Sequence, residues 1–127
     1  MKILQILKLL NAEAVFIPSG AEDYEIEYSG AADLMSDFLA FSREHMLLIT
    51  GLTSPQTITT AAVIGANGVI FVRGKEIPPE VMKTAQELDI PILKTSISMY
   101  IACAILYKNG IKDAMGTDRF LDNGDNL

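Results

Sequence analysis

Cysteine and histidine are nearly absent from this sequence. The 127-residue chain has one of each, Cys103 and His45. One cysteine can form no disulfide within the chain and offers no cysteine-based zinc site, and one histidine completes neither a metal site nor a catalytic triad. Cys103 lies in the apolar stretch MYIACAILY, which favours packing over a role as a nucleophile, and His45 precedes a strand, as a loop residue would. We therefore expect no metal and no cofactor.

Long apolar runs and clusters of basic residues are absent too. Half of the residues are hydrophobic, but no run reaches the roughly eighteen apolar residues of a membrane-spanning helix. The formal net charge of -6 excludes non-specific nucleic-acid binding, which needs a basic surface. The apolar start is interrupted by Gln5, Lys8 and Asn11 and has no clean cleavage site, which argues against a signal peptide. We expect a cytoplasmic protein that binds neither nucleic acid nor membranes.

The length of the chain fits one domain with one core. Its mean hydropathy of +0.29 is high for a small soluble protein, so the apolar residues must lie in a sheet covered on both faces or in a subunit interface. Residues 1–112 carry the regular apolar patterns and are expected to form the domain. Residues 113–127 are rich in Asp, Asn and Gly and are expected to form a flexible polar tail.

From residue 46 onward, short apolar strands alternate with helices. Glycines at 51 and 74 follow successive strands, and prolines at 55 and 78 open the next helices, in each case at an offset of 23 residues. Strand, loop and helix in series predict parallel strands joined by right-handed crossovers. The expected fold is a single three-layer α/β domain with a mainly parallel sheet covered by helices. The expected helices are 2–10, 34–41, 55–64, 79–88 and 96–109, and the expected strands are 14–17, 24–28, 46–49, 69–72 and 91–93.

The stretch SGAADLMSDFLAF places two carboxylates four residues apart and raises the question of a catalytic pair. Asp33 suits a helix N-cap, and Ser36 and Asp37 then fall in the first turn, near the positive end of the helix dipole. A general acid–base pair would need neighbours that give the two carboxyls different pKa values, and no His, Lys or Arg occurs closer than Arg43. The pattern favours a helix start.

The segment GVIFVRGK resembles a phosphate-binding P-loop but departs from it in two ways. A P-loop has four residues between its glycines and Ser or Thr after its lysine, whereas here five residues separate Gly68 from Gly74 and Glu76 follows Lys75. Four of the five are strand formers, and a strand uses its N–H groups in the sheet instead of around a phosphate. The sequence therefore predicts no nucleotide-hydrolysing kinase.

Polar residues follow the three predicted strands between residues 46 and 93. Because ligands bind outside the carboxyl ends of parallel strands, we expect these residues to meet at one edge of the sheet. Hydroxyls, a guanidinium and three helix N-termini would suit a small anion or a nucleotide. The alternative is that the hydroxyls only cap the helices and that the arginine is a surface charge. The candidate ligand-binding residues are Thr50, Gly51, Thr53, Arg73, Gly74, Thr95, Ser96 and Ser98.

Four segments spread over residues 2–112 resemble the small stand-alone DRTGG-domain proteins: GAADLMSDFLAF, LLITGLTSPQTITTA, GVIFVRGKEIPPEVMKTAQELDIPIL and SMYIACAILYKNGI. The resemblance implies an α/β domain that pairs with itself and that occurs alone, within phosphotransacetylases, or beside CBS domains in regulatory pyrophosphatases. It also implies a fold similar to the N-terminal, non-catalytic domain of HPr kinase/phosphorylase. The chain has Leu52-Thr53-Ser54 where many members have Asp-Arg, and Val72-Arg73-Gly74 where they have Thr-Gly-Gly. The family supplies no catalytic residues to transfer.

These observations lead to two hypotheses for the function. The first is a non-catalytic regulatory or interaction module that acts as a homodimer, with a further partner protein left open. The second is a sensor that binds a nucleotide or a phosphorylated metabolite at the strand-end loops. An enzyme is not expected, because no nucleophile is paired with a base.

Overall fold

The computed structural model describes residues 1–122 as a sheet with helices on both of its faces. Within these residues, no helix has both the length and the apolarity to cross a bilayer. A short 3₁₀ turn also occurs at Ala21–Asp23. The elements in chain order are α1 (Ile3–Leu9), β1 (Glu13–Phe16), β2 (Tyr28–Ala31), α2 (Met35–Ala40), β3 (Met46–Thr50), α3 (Pro55–Ile64), β4 (Gly68–Phe71), α4 (Pro79–Leu88), β5 (Ile92–Lys94), α5 (Met99–Lys108), β6 (Lys112–Asp113) and α6 (Arg119–Asp122).

The strands lie in the order β1-β5-β4-β3-β2-β6, and every neighbouring pair is parallel except β1 with β5. From β2 to β5, each strand lies beside the next one in the chain and is joined to it by a helix. This arrangement confirms the expected three-layer α/β fold with a mainly parallel sheet. The register pairs Thr50 with Phe71 and Phe71 with Lys94, so the chain leaves β3, β4 and β5 at the same edge of the sheet.

Two apolar clusters cover the two faces of the sheet. All five residues of β3 are buried, and their side chains alternate: Leu48 joins the cluster under α2, α3 and α4, whereas Leu47 and Ile49 join the cluster under α1 and α5. Because both faces are covered, the central strands are continuous apolar runs. The helical residues of the first cluster are Met35, Phe38, Ile58, Ala61, Val81 and Ala85, and those of the second are Ile3, Ile6, Ala102 and Leu106.

The strand expected at residues 24–28 is wrong. β2 begins only at Tyr28, and upstream of it the described chain forms an isolated bridge between Lys2 and Glu25. The amino terminus holds this segment instead, since its ammonium group lies 2.8 Å from Glu25 Oε2 and 3.1 Å from Ile26 O. Ile26 is fully buried, so the alternating pattern reflects one inward side chain in a loop.

Helices α3 and α4 begin at their prolines as expected, but the start of α5 at Ser96 is wrong. Ser98 is the N-cap, and its hydroxyl oxygen accepts a hydrogen bond from Ile101 N at 3.3 Å. The reason lies in the preceding turn. Thr95 Oγ1 accepts a hydrogen bond from Ile97 N at 3.3 Å, which holds the backbone in a turn before the helix starts.

The fold continues beyond residue 112 in the described part of the chain. Strand β6 pairs with β2, Ala114 N donates to Ser29 O at 2.9 Å, and the Ala114 side chain packs in the first apolar cluster. A short helix follows at Arg119–Asp122. The expected flexible tail at 113–127 stays a prediction, since residues 123–127 lie outside the described residues.

We predict that Leu48→Ala lowers the free energy of unfolding by about 2–5 kcal/mol, because it leaves a cavity at the centre of a fully buried strand. The control is Leu39→Ala on α2, where the side chain is exposed, and its effect should stay within about 0.5 kcal/mol. Urea denaturation of both variants measures the difference. Equal losses in the two variants would contradict the two-faced core.

Candidate functional site

The loops that follow β2, β3, β4 and β5 meet at the carboxyl edge of the sheet. We call this edge the rim and define it by Asp33 after β2, Gly51 after β3, Arg73 and Lys75 after β4, and Thr95 after β5. Contacts between these loops confirm that they are neighbours: Lys75 Nζ donates to Gly51 O at 2.6 Å, and Gly74 N donates to Thr95 O at 2.9 Å. The rim therefore forms at the edge of the sheet where a parallel order of the strands places their carboxyl ends.

Asp33 belongs to the rim and does not cap α2, so the expected N-cap role is wrong. The helix begins two residues later, with Leu34 at the N-cap position and no side-chain cap. The Asp33 carboxylate turns instead to the neighbouring strand end. Its Oδ1 accepts hydrogen bonds from Gly51 N at 2.7 Å and from Thr50 Oγ1 at 3.2 Å. Thr50 and Gly51 follow Asp33 by 17 and 18 residues, beyond helix α2, so local sequence patterns gave no signal for them.

Arg73 lies in a strained turn that aims its side chain across the rim. Its φ is +68° and that of Gly74 is +65°, a left-handed conformation that is uncommon for arginine and costs about 1–3 kcal/mol. Hydrogen bonds from Arg73 N to Ile97 O and from Gly74 N to Thr95 O, both 2.9 Å, hold the turn. Arg73 Nη2 then lies 3.5 Å from Asp33 Oδ2. Strain of this kind concentrates at functional sites.

Gly51 allows the close approach of the Arg73 guanidinium. A Cβ at this position would lie 2.9 Å from Arg73 Cζ and closer still to Nη2, so any larger residue would expel the guanidinium. Lys75 binds the carbonyl of the same residue. The sequence analysis missed Lys75; its position two residues after Arg73, in the loop that follows β4, is the signal that could have found it.

The buried hydroxyls among the predicted site residues bind other parts of the protein. Thr50 Oγ1 donates to Asp33 and accepts from Leu52 N at 3.1 Å, and Thr95 Oγ1 donates to Leu10 O at 2.7 Å. Both side chains are buried, and Ser98 caps α5. The alternative interpretation, that the hydroxyls cap helices, therefore fits Ser98, whereas Thr50 and Thr95 bind loop and strand-end groups instead. A ligand role for these residues stays a prediction.

Polar groups remain available elsewhere on the rim. Thr53 is half-buried, and Ser96 is exposed beside Gly74. Ser54 Oγ, at the N-terminus of α3, is shielded from solvent and has no hydrogen-bond partner among the described residues. A shielded hydroxyl without a partner is unfavourable for folding, and because it is shielded it is not available to a ligand in this structure.

The electrostatics of the rim keep Asp33 ionised. The hydrogen bond from Gly51 N is the largest cause that lowers the pKa of Asp33 below its ordinary value of 3.8; burial opposes it, and Thr50, Arg73 and Lys75 add smaller effects in the same direction as Gly51. The rim thus carries two cations and one anion within a chain whose net charge is -6.

Cys103 and His45 take no part in the rim contacts. Cys103 is half-buried on α5, and burial raises the pKa of its thiol, which keeps it protonated and poorly nucleophilic. His45 is an exposed loop residue, as expected, with its Nδ1 3.4 Å from Asn67 Nδ2. Across residues 1–122, no group of three or more His, Cys, Asp or Glu side chains is placed to hold a metal ion.

We predict that an NMR titration of Asp33 gives a pKa below 3.8 in the wild-type chain and still below 3.8 in Arg73→Ala, since the amide hydrogen bond outweighs the guanidinium. Because the folded pKa is depressed, this group's contribution to stability is complete above the ordinary pKa of 3.8 and is lost as the pH falls through the lower, folded value. Asp33→Asn should therefore lose less stability on acidification. A wild-type pKa at or above 3.8 would contradict the Gly51–Asp33 contact.

Comparison with known proteins places the chain in a family. The model of the DRTGG domain family matches residues 5–108, and a search of curated proteins found no match. The fold is similar to the crystal structure of the CBS and DRTGG domains of the regulatory region of Clostridium perfringens pyrophosphatase, complexed with the activator diadenosine tetraphosphate. The two share 17% identity with a TM-score of 0.62, over 83% of this chain and 45% of that chain, so this chain spans less than half of that structure's length. Since the family match covers most of its residues, the chain belongs to the DRTGG domain family.

Proposed function

We propose that this chain is a non-catalytic regulatory domain that senses an acidic nucleotide at the rim. The observation that carries the proposal is Arg73, which adopts a strained backbone conformation that aims its guanidinium over Gly51. The similar structure supports the ligand class, since its regulatory region was crystallised with a dinucleotide activator.

The chemistry of the rim suits a phosphate group. Arg73 presents a planar fork of N–H donors that matches phosphate oxygens, and its side chain is about half exposed at 48%. Lys75 adds a second positive charge beside the same glycine. Each of these groups is a donor, so together they favour an anion.

The same geometry argues against catalysis at the rim. Thr50 Oγ1 donates a hydrogen bond to Asp33 Oδ1 at the rim. A hydroxyl paired with a carboxylate in this way resembles a nucleophile with its base. Thr50 is fully buried, however, and its oxygen also accepts a hydrogen bond from Leu52 N, so it cannot reach a substrate. A binding role fits these groups better than a reaction does.

We predict that Arg73→Ala weakens nucleotide binding by roughly 10- to 100-fold, the effect of losing charged hydrogen bonds worth about 1.5–3 kcal/mol. Thermal-shift and calorimetric titrations with AMP, ATP and diadenosine tetraphosphate measure it. Lys83→Ala is the control, because Lys83 is an exposed cation on α4 that pairs with Glu87 on the same helix. If no nucleotide raises the melting temperature of the wild-type chain, or if both variants bind alike, the rim is not a nucleotide site.

A homodimer is the second candidate, and an apolar stripe on α5 favours it. Tyr100, Cys103, Ala104 and Tyr107 lie on one face of the helix, and Tyr100 is 82% exposed. The stripe is symmetric along the helix: a tyrosine lies at each end, and the small residues Cys103 and Ala104 lie between them. In an antiparallel pair of α5 helices, each Tyr100 would face the partner's Tyr107 across the small residues, as a two-fold interface requires.

We predict that the wild-type chain sediments as a dimer at micromolar concentration and that Tyr100→Asp converts it to a monomer, because the new charge would be buried at the interface. Val63→Asp is the control, since Val63 is 76% exposed on α3, in the opposite helix layer. A wild-type monomer would rule out this interface.

A further inference from the structure

A cleft runs along α2 at the outer flank of the sheet. It encloses about 320 Å³, near the lower end of the range for small-molecule pockets, which is roughly 300–1,000 Å³. Its walls are mostly small or apolar, with one carboxylate. The lining residues are Ala31, Ala32, Asp37, Ala40, Phe41 and Met115.

The cleft lies at the strand where the order of strand addition to the sheet changes sides. From β2 to β5, each new strand is added on the same side of the one before it. Helix α5 then carries the chain back across the sheet to β6, which pairs with the other side of β2. In open parallel sheets, ligands bind outside the carboxyl ends of the two strands that flank such a reversal. Here that position is the end of β2, and the cleft begins at its last residue, Ala31.

The cleft and the rim meet along the chain at Asp33. Ala31 and Ala32 line the cleft, and the next residue is Asp33, whose carboxylate contacts Gly51 and Arg73. The Cα atoms of Ala32 and Asp33 are about 3.8 Å apart, and Asp33 Oδ2 lies 3.5 Å from Arg73 Nη2, so the wall of the cleft and the guanidinium are close enough for one nucleotide to reach both.

We infer that the cleft holds the base of the nucleotide whose phosphates bind Arg73 and Lys75, and that Asp33 accepts hydrogen bonds from its ribose hydroxyls. The inference rests on the proposed function and extends it from a phosphate site to a nucleoside site. The exposed Met115 and the partly buried Phe41 offer apolar contact to the faces of a base, and Asp37 offers an acceptor for an amino group.

The two oxygens of Asp33 differ in a way that suits a hydroxyl. Oδ1 accepts two hydrogen bonds, from Gly51 N at 2.7 Å and Thr50 Oγ1 at 3.2 Å, and so fixes the carboxylate in place. Among residues 1–122, Oδ2 has one contact, with Arg73 Nη2 at 3.5 Å, which is long for a charged pair, and the side chain is 52% exposed. Oδ2 can therefore accept a further hydrogen bond from a sugar hydroxyl beside the bound phosphate.

The test compares ATP with inorganic tripolyphosphate by calorimetry, because both carry the phosphates but only ATP carries the nucleoside. The wild-type chain should bind ATP about tenfold or more tightly than tripolyphosphate. Ala40→Phe fills the cleft and should lower ATP affinity to that of tripolyphosphate, with tripolyphosphate binding unchanged. Leu39→Phe is the matched control on the exposed side of α2 and should preserve the preference. Met115→Ala should weaken ATP binding several-fold, which gives a second variant if Ala40→Phe does not fold.

The outcomes separate this inference from the proposed function. If the wild-type chain binds both ligands equally and Arg73→Ala abolishes both, the phosphate site stands and the base site in the cleft is wrong. The inference is equally wrong if Ala40→Phe and Met115→Ala both keep the full preference for ATP. If neither ligand binds the wild-type chain, the proposed function is wrong, and the inference that rests on it is wrong too.

Discussion

The hydrogen bond from Gly51 N to Asp33 Oδ1 is the interaction on which the rim depends. It joins the ends of β2 and β3 at 2.7 Å and holds the carboxylate where the Arg73 guanidinium can approach it. The bond exists because β2 and β3 are parallel and in register, with Ala31 opposite Ile49, so that both chains leave the sheet at one level. The geometry of the rim is thus a consequence of the strand register.

The register is fixed in turn by burial on both faces of the sheet. Leu47, Leu48 and Ile49 alternate between the two apolar clusters, and a shift by one residue would exchange the faces of every side chain in the strand. Helices α2, α3 and α4 fill one layer, and α1 and α5 fill the other. The strained turn at Arg73 lies at the edge of this core. Backbone hydrogen bonds from Arg73 and Gly74 to the loop after β5 stabilise the turn.

Local patterns predicted the parts of the fold that depend on neighbouring residues. The repeat of strand, glycine and proline gave β3, β4 and their helices, because turn chemistry and helix starts are encoded within a few residues. The alternation from Tyr24 to Tyr28 wrongly predicted a strand, because a loop that buries one residue, Ile26, shows the same pattern. The start of α5 was predicted at Ser96 instead of Ser98, because a serine pattern does not show which serine lies in the turn before the helix.

The rim was predicted only in part, for a physical reason. Topology brings the strand ends together, so residues after β3 and β4 could be chosen from their positions alone. Lys75 follows β4 and could have been chosen in the same way. Asp33 acts through a contact with Gly51, which is 18 residues away in the sequence, and no local pattern reports such a contact. The local sequence predicted a helix cap at Asp33 and gave no indication of its hydrogen bond to Gly51.

The central claim is that the strand-end loops form one anion-binding site around Arg73. Mapping amide chemical shifts of the ¹⁵N-labelled chain during a titration with ATP tests it most directly. The account predicts that the largest changes fall on the amides of Gly51, Thr53, Arg73 and Gly74, which the structure places on adjacent loops. Changes confined to α5 or to the outer edge of β1, with the amides of these loops unmoved, would contradict it.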